Sequence, residues 1–226
     1  MTTKAISGMK AILIHLSDSH LQESNKSVAN RFAEISATIR PMLTGAEGVF
    51  IVWTGDIANA GTTEEYQIAE AFLDKLKAEI SRDFPGPVVI VLTPGNHDGT
   101  FKTAKDTRKG NIDQILQDAS KASNQDYIDA CVEPMQHFFA FQERVSQNGV
   151  TKAHPLWRDY TFLIGDRSLR FSAINASWMT VPGESIPLEF PLNLFVANYE
   201  DSATVNILLL HHPLNWYAQG TYHPLR

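Results

Sequence analysis

Three short apolar runs set the frame of this chain. Ala11–Ser17 reads AILIHLS, Gly48–Thr54 reads GVFIVWT and Pro87–Thr93 reads PVVIVLT. Each is nearly continuous, rich in branched aliphatic residues and bounded by turn formers, the pattern of buried strands. Between the first two, Val28, Phe32, Ile35 and Ile39 recur at helical spacing within Ser27–Leu43. Between the second and third, Tyr66, Ile68, Ala69, Phe72, Leu73, Leu76 and Ile80 do the same within Glu64–Ile80, and Thr62 or Thr63 supplies an N-cap ahead of Glu64 and Glu65. Strand, helix, strand, helix, strand predicts right-handed βαβ units and a largely parallel first sheet. Thr100–Ala122 is polar and charged and reads as a long loop with at most one short helix, whereas Asp126–Gln147 reads as a helix broken at Pro134. Tyr160–Ile164 and Leu169–Asn175 flank a Gly-Asp turn and predict a hairpin. Val181–Pro191 carries three prolines and reads as loop; TVNILLL at Thr204–Leu210 is a further buried strand that runs into His211. The late strands are expected to form a second sheet packed on the first. No repeat, low-complexity segment or linker divides the chain, so residues 1–226 read as one α/β domain.

Composition narrows the setting. Of 226 residues, 43% are hydrophobic, enough for a substantial core. The balance of 19 Lys+Arg against 25 Asp+Glu, a formal charge of −6, argues against a protein that coats nucleic acid by bulk charge. One cysteine, Cys131, excludes a disulfide framework and a thiolate zinc knuckle and fits a reducing compartment. The longest apolar runs are about seven residues, too short to span a membrane, and Met1–Lys10 has no apolar signal-peptide core. The expectation is a cytoplasmic globular protein with no membrane partner.

The candidate chemistry sits where the apolar runs end. The first runs into Asp18-Ser19-His20, the second into Gly55-Asp56, the third into Gly95-Asn96-His97-Asp98 and the late one into His211-His212-Pro213. Each piece alone has an ordinary reading, since Asp and Gly are common turn residues and two adjacent histidines could be a hydrogen-bonded loop pair. Together they deliver carboxylates, an amide oxygen and imidazoles to the carboxyl ends of strands, where open α/β sheets gather their ligands. That donor set suits Mn, Fe, Zn or a similar divalent ion.

In this order, the elements SDSH, TGDIANAG, PGNHD and LLLHHPL resemble the D-x-H, G-D, G-N-H-[D/E] and lone-His motifs of the calcineurin-like metallophosphoesterases. The resemblance runs from Ile12 to about Pro213. It implies a four-layer α/β/β/α sandwich of two mixed sheets and a phosphoesterase that attacks with hydroxide activated by two divalent metals. It further implies that Asp18 and His20 hold the first metal, that Asp56 bridges both, and that Asn96 and His211 hold the second. His212 is then an alternate ligand or a phosphate contact. His97 matches a histidine that contacts the phosphate or protonates the leaving oxygen, and Asp98 is expected to orient His97. The family's final G-H-x-H is absent, for neither Gly-His nor His-x-His occurs in the chain. The expectation is therefore an N-terminal part of a longer protein, truncated before the last strands, with each metal short of one imidazole and further domains beyond Arg226 left open.

GDIANAG with GNHD departs from the GDxxDRG and GNHE of protein phosphatases and resembles the phosphodiesterase and nuclease side of the family. Small diesters, cyclic nucleotides and nucleic-acid ends stay open as substrates. Lys102, Lys105, Arg108 and Lys109 are read as a solvated loop, with a phosphate-backbone contact as the sharper alternative. His15 reads as a packed interlayer residue, His137 as structural, His154 and His223 as surface turns, and Cys131 as a small buried apolar residue. Trp216, Tyr217 and Tyr222 either line a substrate pocket or belong to the core. The competing function is a non-catalytic scaffold or effector module on the same fold.

Overall fold

A computed structural model describes residues 10–103, 106–195 and 204–221. The first three strands, β1 (Ala11–Leu16), β2 (Gly48–Thr54) and β3 (Val88–Thr93), form a parallel sheet in the order β1-β2-β3. The second sheet joins β4 (Val150–His154), β5 (Trp157–Ile164), β6 (Arg167–Ile174) and β7 (Thr204–Leu209) in that order; β4, β5 and β6 are antiparallel neighbours, and β7 runs parallel to β6. Of the two sheets expected to be mixed, the second is. The described strands of the first all run parallel, because each is joined to the next by a helical crossover.

Side-chain alternation along β2 and β3 builds two cores. Ile51, Trp53, Ile90 and Leu92 point to one face and bury against α2 (Thr63–Asp83) and α5 (Gln136–Val145), where Trp53 meets Phe72 edge-on and Tyr66 stacks on Phe141. Phe50, Val52, Val89 and Val91 point to the other face and meet Tyr160, Phe171, Ala173 and Leu209 of the second sheet. Both faces of these strands are therefore dry, which is why the runs are apolar throughout rather than alternating. The start of α2 is held by a reciprocal capping box between Thr62 and Glu65.

Two expected elements differ, and one strand was not expected. The first helix, α1 (Phe32–Ile39), is shorter than Ser27–Leu43, since residues 27–30 are turns and Pro41 sits in a closing 3₁₀ turn at Arg40–Met42. The segment Thr100–Ala122 is mostly helical: α3 spans Asp106–Gln117 and a 3₁₀ turn covers Ala119–Ser123. Its sequence looks polar because only Arg108, Ile112 and Ile115 of α3 are buried. The two isoleucines pack with α4 (Gln125–Val132), Trp178 and Tyr217 in a third core. Strand β4 has no apolar run because it is a charged edge strand pairing only with β5. The break at Pro134 falls as expected, as a 3₁₀ turn between α4 and α5. No helix among the described residues is long and apolar enough to cross a membrane.

Candidate metal and phosphoester site

The loops that follow β1, β2, β3 and β7 meet at one mouth. The first two are laced together by backbone bonds from Asp18 N–H to Gly55 O (3.1 Å), His20 N–H to Asp56 O (2.9 Å) and Leu21 N–H to Ile57 O (2.8 Å). This pairing forces an unusual backbone: Asp18, His20 and Asp56 have φ of 53°, 43° and 50°, and they are the non-glycine residues with positive φ among those described. Such conformations are costly for L-residues and are held where the surroundings over-determine them.

The glycines of the motifs follow from the same crowding. Gly55 has φ of 82°, and a Cβ there would come within 2.7 Å of Gly95 Cα. A Cβ on Gly95 would overlap the backbone nitrogen and Oδ1 of Asp56. Gly95→Ala is therefore expected to displace the Asp56 carboxylate and weaken divalent-metal binding by about tenfold or more, as checked by metal titration alongside the melting temperature. Near-normal affinity would show that the loops have slack.

Asp56 is the hub. It is buried and belongs to two groups whose potential ligand atoms all lie within 4.8 Å of one another, His20–Asp56–His97 and Asp18–Asp56–His211. Its Oδ2 is 3.6 Å from His20 Nε2 and its Oδ1 is 3.4 Å from His211 Nε2. Asn96 joins through Oδ1, 3.2 Å from His211 Nε2. Asp18, His20, Asp56, Asn96, His97 and His211 are thus brought together. Within these groups Asp18 lies with His211 and His20 with His97, and Asp56 is common to both. Burial pushes the Asp56 pKa up, but the hydrogen bond and charge of His211, with the His97 N–H at 2.8 Å, outweigh it and hold the carboxyl below its ordinary value. Burial likewise opposes charge on His211, yet the Asp56 bond and charge raise its pKa overall. An ionised carboxylate among imidazoles, with an amide oxygen beside them, is a donor set for borderline divalent cations, which would displace the imidazole proton on binding.

Two histidines are oriented by backbone carbonyls. His211 Nδ1 lies 2.8 Å from Thr54 O, and His97 Nδ1 lies 2.8 Å from Asn59 O. A carbonyl only accepts, so each Nδ1 carries the hydrogen and Nε2 is left for the site. Sequence gives no sign of either partner, because any residue's carbonyl would serve.

Asp98 does not orient the His97 ring. Its carboxylate is buried and accepts hydrogen bonds from the N–H groups of Ile57 (3.2 Å), Ala58 (2.9 Å) and Gly95 (2.8 Å), and from the Tyr66 hydroxyl (3.1 Å). It ties the Gly-Asp loop to the Gly-Asn-His-Asp loop, and its burial raises its pKa to about 6 despite those donors. His212 belongs to neither ligand group around Asp56: it is 3% exposed, its ring nitrogens have no hydrogen-bond partner among the described residues, and burial followed by the His211 charge lowers its pKa to about 4. It lies beneath Trp216, with ring centroids 5.3 Å apart.

The other sequence readings sort as follows. Arg108 is not a solvated or phosphate-facing cation but is 5% exposed, donating at 2.8 Å to the carbonyls of Cys131, Thr180 and Trp178. Lys109 pairs with Glu184. Lys102 borders a cavity of about 710 Å³ that opens beside Asn96 and His97, and Lys105 lies outside the described residues. Trp216 lines that cavity, Tyr217 is core, and Tyr222 and His223 lie outside the described residues. His15 is exposed rather than packed, and its Nε2 lies 2.7 Å from Thr54 Oγ1. His137 is exposed and bonded to Thr63 Oγ1, and His154 packs edge-on against Phe195. Cys131 is fully buried.

Known proteins bear directly on this arrangement. A glycerophosphodiester phosphodiesterase, GpdQ of Enterobacter lignolyticus (strain SCF1), is 32% identical over 92 residues, a stretch covering 38% of this chain and 29% of that protein. The family model for calcineurin-like phosphoesterases matches residues 12–225, from β1 past the His211 loop. A match of that extent, over loops that gather carboxylates, imidazoles and an amide around Asp56, places the chain in the calcineurin-like phosphoesterases, a family of metal-dependent phosphoester hydrolases.

Proposed function

We propose that the protein hydrolyses a phosphodiester with two divalent cations, manganese, iron or zinc, held around Asp56. The observation that carries this reading is the membership of one buried carboxylate in both candidate ligand groups. Asp18 and His20 would hold one cation, Asn96 and His211 the other, and Asp56 both. When bound, such ions bring the pKa of water toward neutrality and offset the phosphate's charge. In the reaction, the oxygen of water bonds to phosphorus, the bond from phosphorus to one ester oxygen breaks, and that oxygen leaves as an alcohol after gaining a proton. His97 would supply the proton or donate a hydrogen bond to the phosphate, a role supported by its Nδ1–H donating to Asn59 O, which leaves Nε2 free for the site, and by its ring lying against that of His20 in a group shared with Asp56. The diester preference is supported by GDIANAG with GNHD and by the activity in the name of the 32% identical relative. The lone buried Cys131 accords with a reducing, cytoplasmic setting.

The test is a panel of phosphomonoesters and phosphodiesters with added Mn²⁺, paired with metal analysis. Hydrolysis of diesters above monoesters is the expected result. Tight metal binding with no turnover of any ester would favour a scaffold module instead. His97→Ala is expected to keep its metal while turnover falls by about 10²–10⁴, the range for a lost acid–base group. If the metal left with the imidazole, His97 would be a ligand.

A further inference from the structure

We propose that the cavity beside the site receives one ester group of the substrate, and that this group is an aromatic alcohol stacked on Trp216. The inference rests on the phosphodiesterase reading above and adds the substrate class. The cavity, about 710 Å³, has Asn96 and His97 at one end, so it opens onto the place where a phosphate would sit. That volume suits a small organic ligand. Phe101, Val181 and Pro182 make its walls largely apolar.

Trp216 is 52% exposed, an unusual state for the largest apolar side chain. It is nonetheless held from beneath, since its ring lies over the buried ring of His212, tilted by 35° at 5.3 Å. A supported aromatic face open to a cavity favours a second ring by offset stacking. Other parts of the wall are also held in place. Arg108 donates to the carbonyls of Thr180 and Trp178, its guanidinium lies 4.4 Å from the Phe101 ring centroid, and Lys109 pairs with Glu184. Two cations that looked like phosphate contacts in the sequence instead hold the wall of an apolar pocket, so the pocket is formed before substrate arrives. Among the described residues, the charged ones lining it are Lys102 and Glu184, opposite in sign. A long polyanion would find no row of cations among those described residues, which favours a small aromatic diester over a nucleic-acid strand.

The test compares propyl methyl phosphate with 3-phenylpropyl methyl phosphate, whose alcohols have matching acidity and differ in the ring. With Mn²⁺, the phenylpropyl ester is expected to show a KM about 10-fold lower, the worth of one stacked ring. Trp216→Ala should bring the two KM values together, and Trp216→Phe should restore most of the difference. Calorimetry with propylphosphonate and 3-phenylpropylphosphonate reads the same ratio without turnover. Equal affinities in the wild type, or a preference that survives Trp216→Ala, would overturn the proposal. A tenfold phosphonate preference with no hydrolysis of either ester would instead overturn the phosphodiesterase reading and leave the pocket assignment standing.

Discussion

Replacing Asp56 by asparagine is expected to strip the protein of most of its bound divalent metal and to lower phosphodiester turnover by at least about 10³-fold. The side chain keeps its size, so packing under β2 is preserved and the loss is one of charge. Asp56 is the residue shared by the His20–His97 and Asp18–His211 groups, and both of its oxygens face imidazoles. An amide presents one oxygen and one N–H face, and the N–H face repels a cation wherever it lies. It would also confront the His97 N–H or the His211 ring, which the carboxylate now accepts. Metal analysis after dialysis, together with turnover in Mn²⁺, reads both losses. A variant with near-normal metal content and turnover would remove Asp56 from the centre of the site. Loss of one metal equivalent alone would show that the two groups are independent.

Asp98→Ala is expected to lower folding stability by about 3–9 kcal/mol, on the basis of three buried donors each left unsatisfied at about 1–3 kcal/mol. The donors are the backbone N–H groups of Ile57, Ala58 and Gly95; the Tyr66 hydroxyl keeps a second acceptor, the Asp98 carbonyl, at 3.1 Å. Against a typical total of about 5–15 kcal/mol, the loss is a large fraction of the stability. Asp98→Asn retains the shape but faces its amide N–H toward one pair of donors, so it should be intermediate. Urea denaturation of the metal-free proteins measures the effect directly. If Asp98→Ala unfolded like the wild type while turnover fell as it does in His97→Ala, Asp98 would act through the His97 ring after all, and the Asn59 carbonyl would not be what orients it.

Asp98 shows where reading from sequence alone stops. A carboxylate next to a histidine in Gly-Asn-His-Asp has two roles open to it, and residue type cannot choose between them. The choice is made by the Gly-Asp loop about forty residues earlier in the chain, which turns the N–H groups of Ile57 and Ala58 toward the carboxylate, beside the N–H of Gly95 from its own loop. The same limit applies to Arg108. Its neighbours in sequence are polar, and only the docking of α3 against the 176–180 turn converts a surface cation into a buried clamp.

What the sequence determined by itself was whatever is carried by local pattern. The strands β1, β2, β3 and β7 were legible as short apolar runs, although only β2 and β3 are buried on both faces: β1 leaves Leu13 exposed, and β7, expected as a buried strand, exposes Leu208 and buries Leu209; α2 was legible because a one-sided core leaves a 3.6-residue period and a Thr-x-x-Glu cap. The gathering of Asp18, His20, Asp56, Asn96, His97 and His211 followed from topology, since residues after parallel strands share one end of a sheet. Tertiary structure decided the rest. It set the left-handed backbone at Asp18, His20 and Asp56, which comes from the pairing of two loops. It chose the carbonyls of Thr54 and Asn59 that orient His211 and His97. It also shaped the apolar cavity walled by Phe101, Val181 and Trp216. Those features depend on backbone groups, which every residue has, and on contacts between segments distant in the chain, so no local pattern of side chains encodes them.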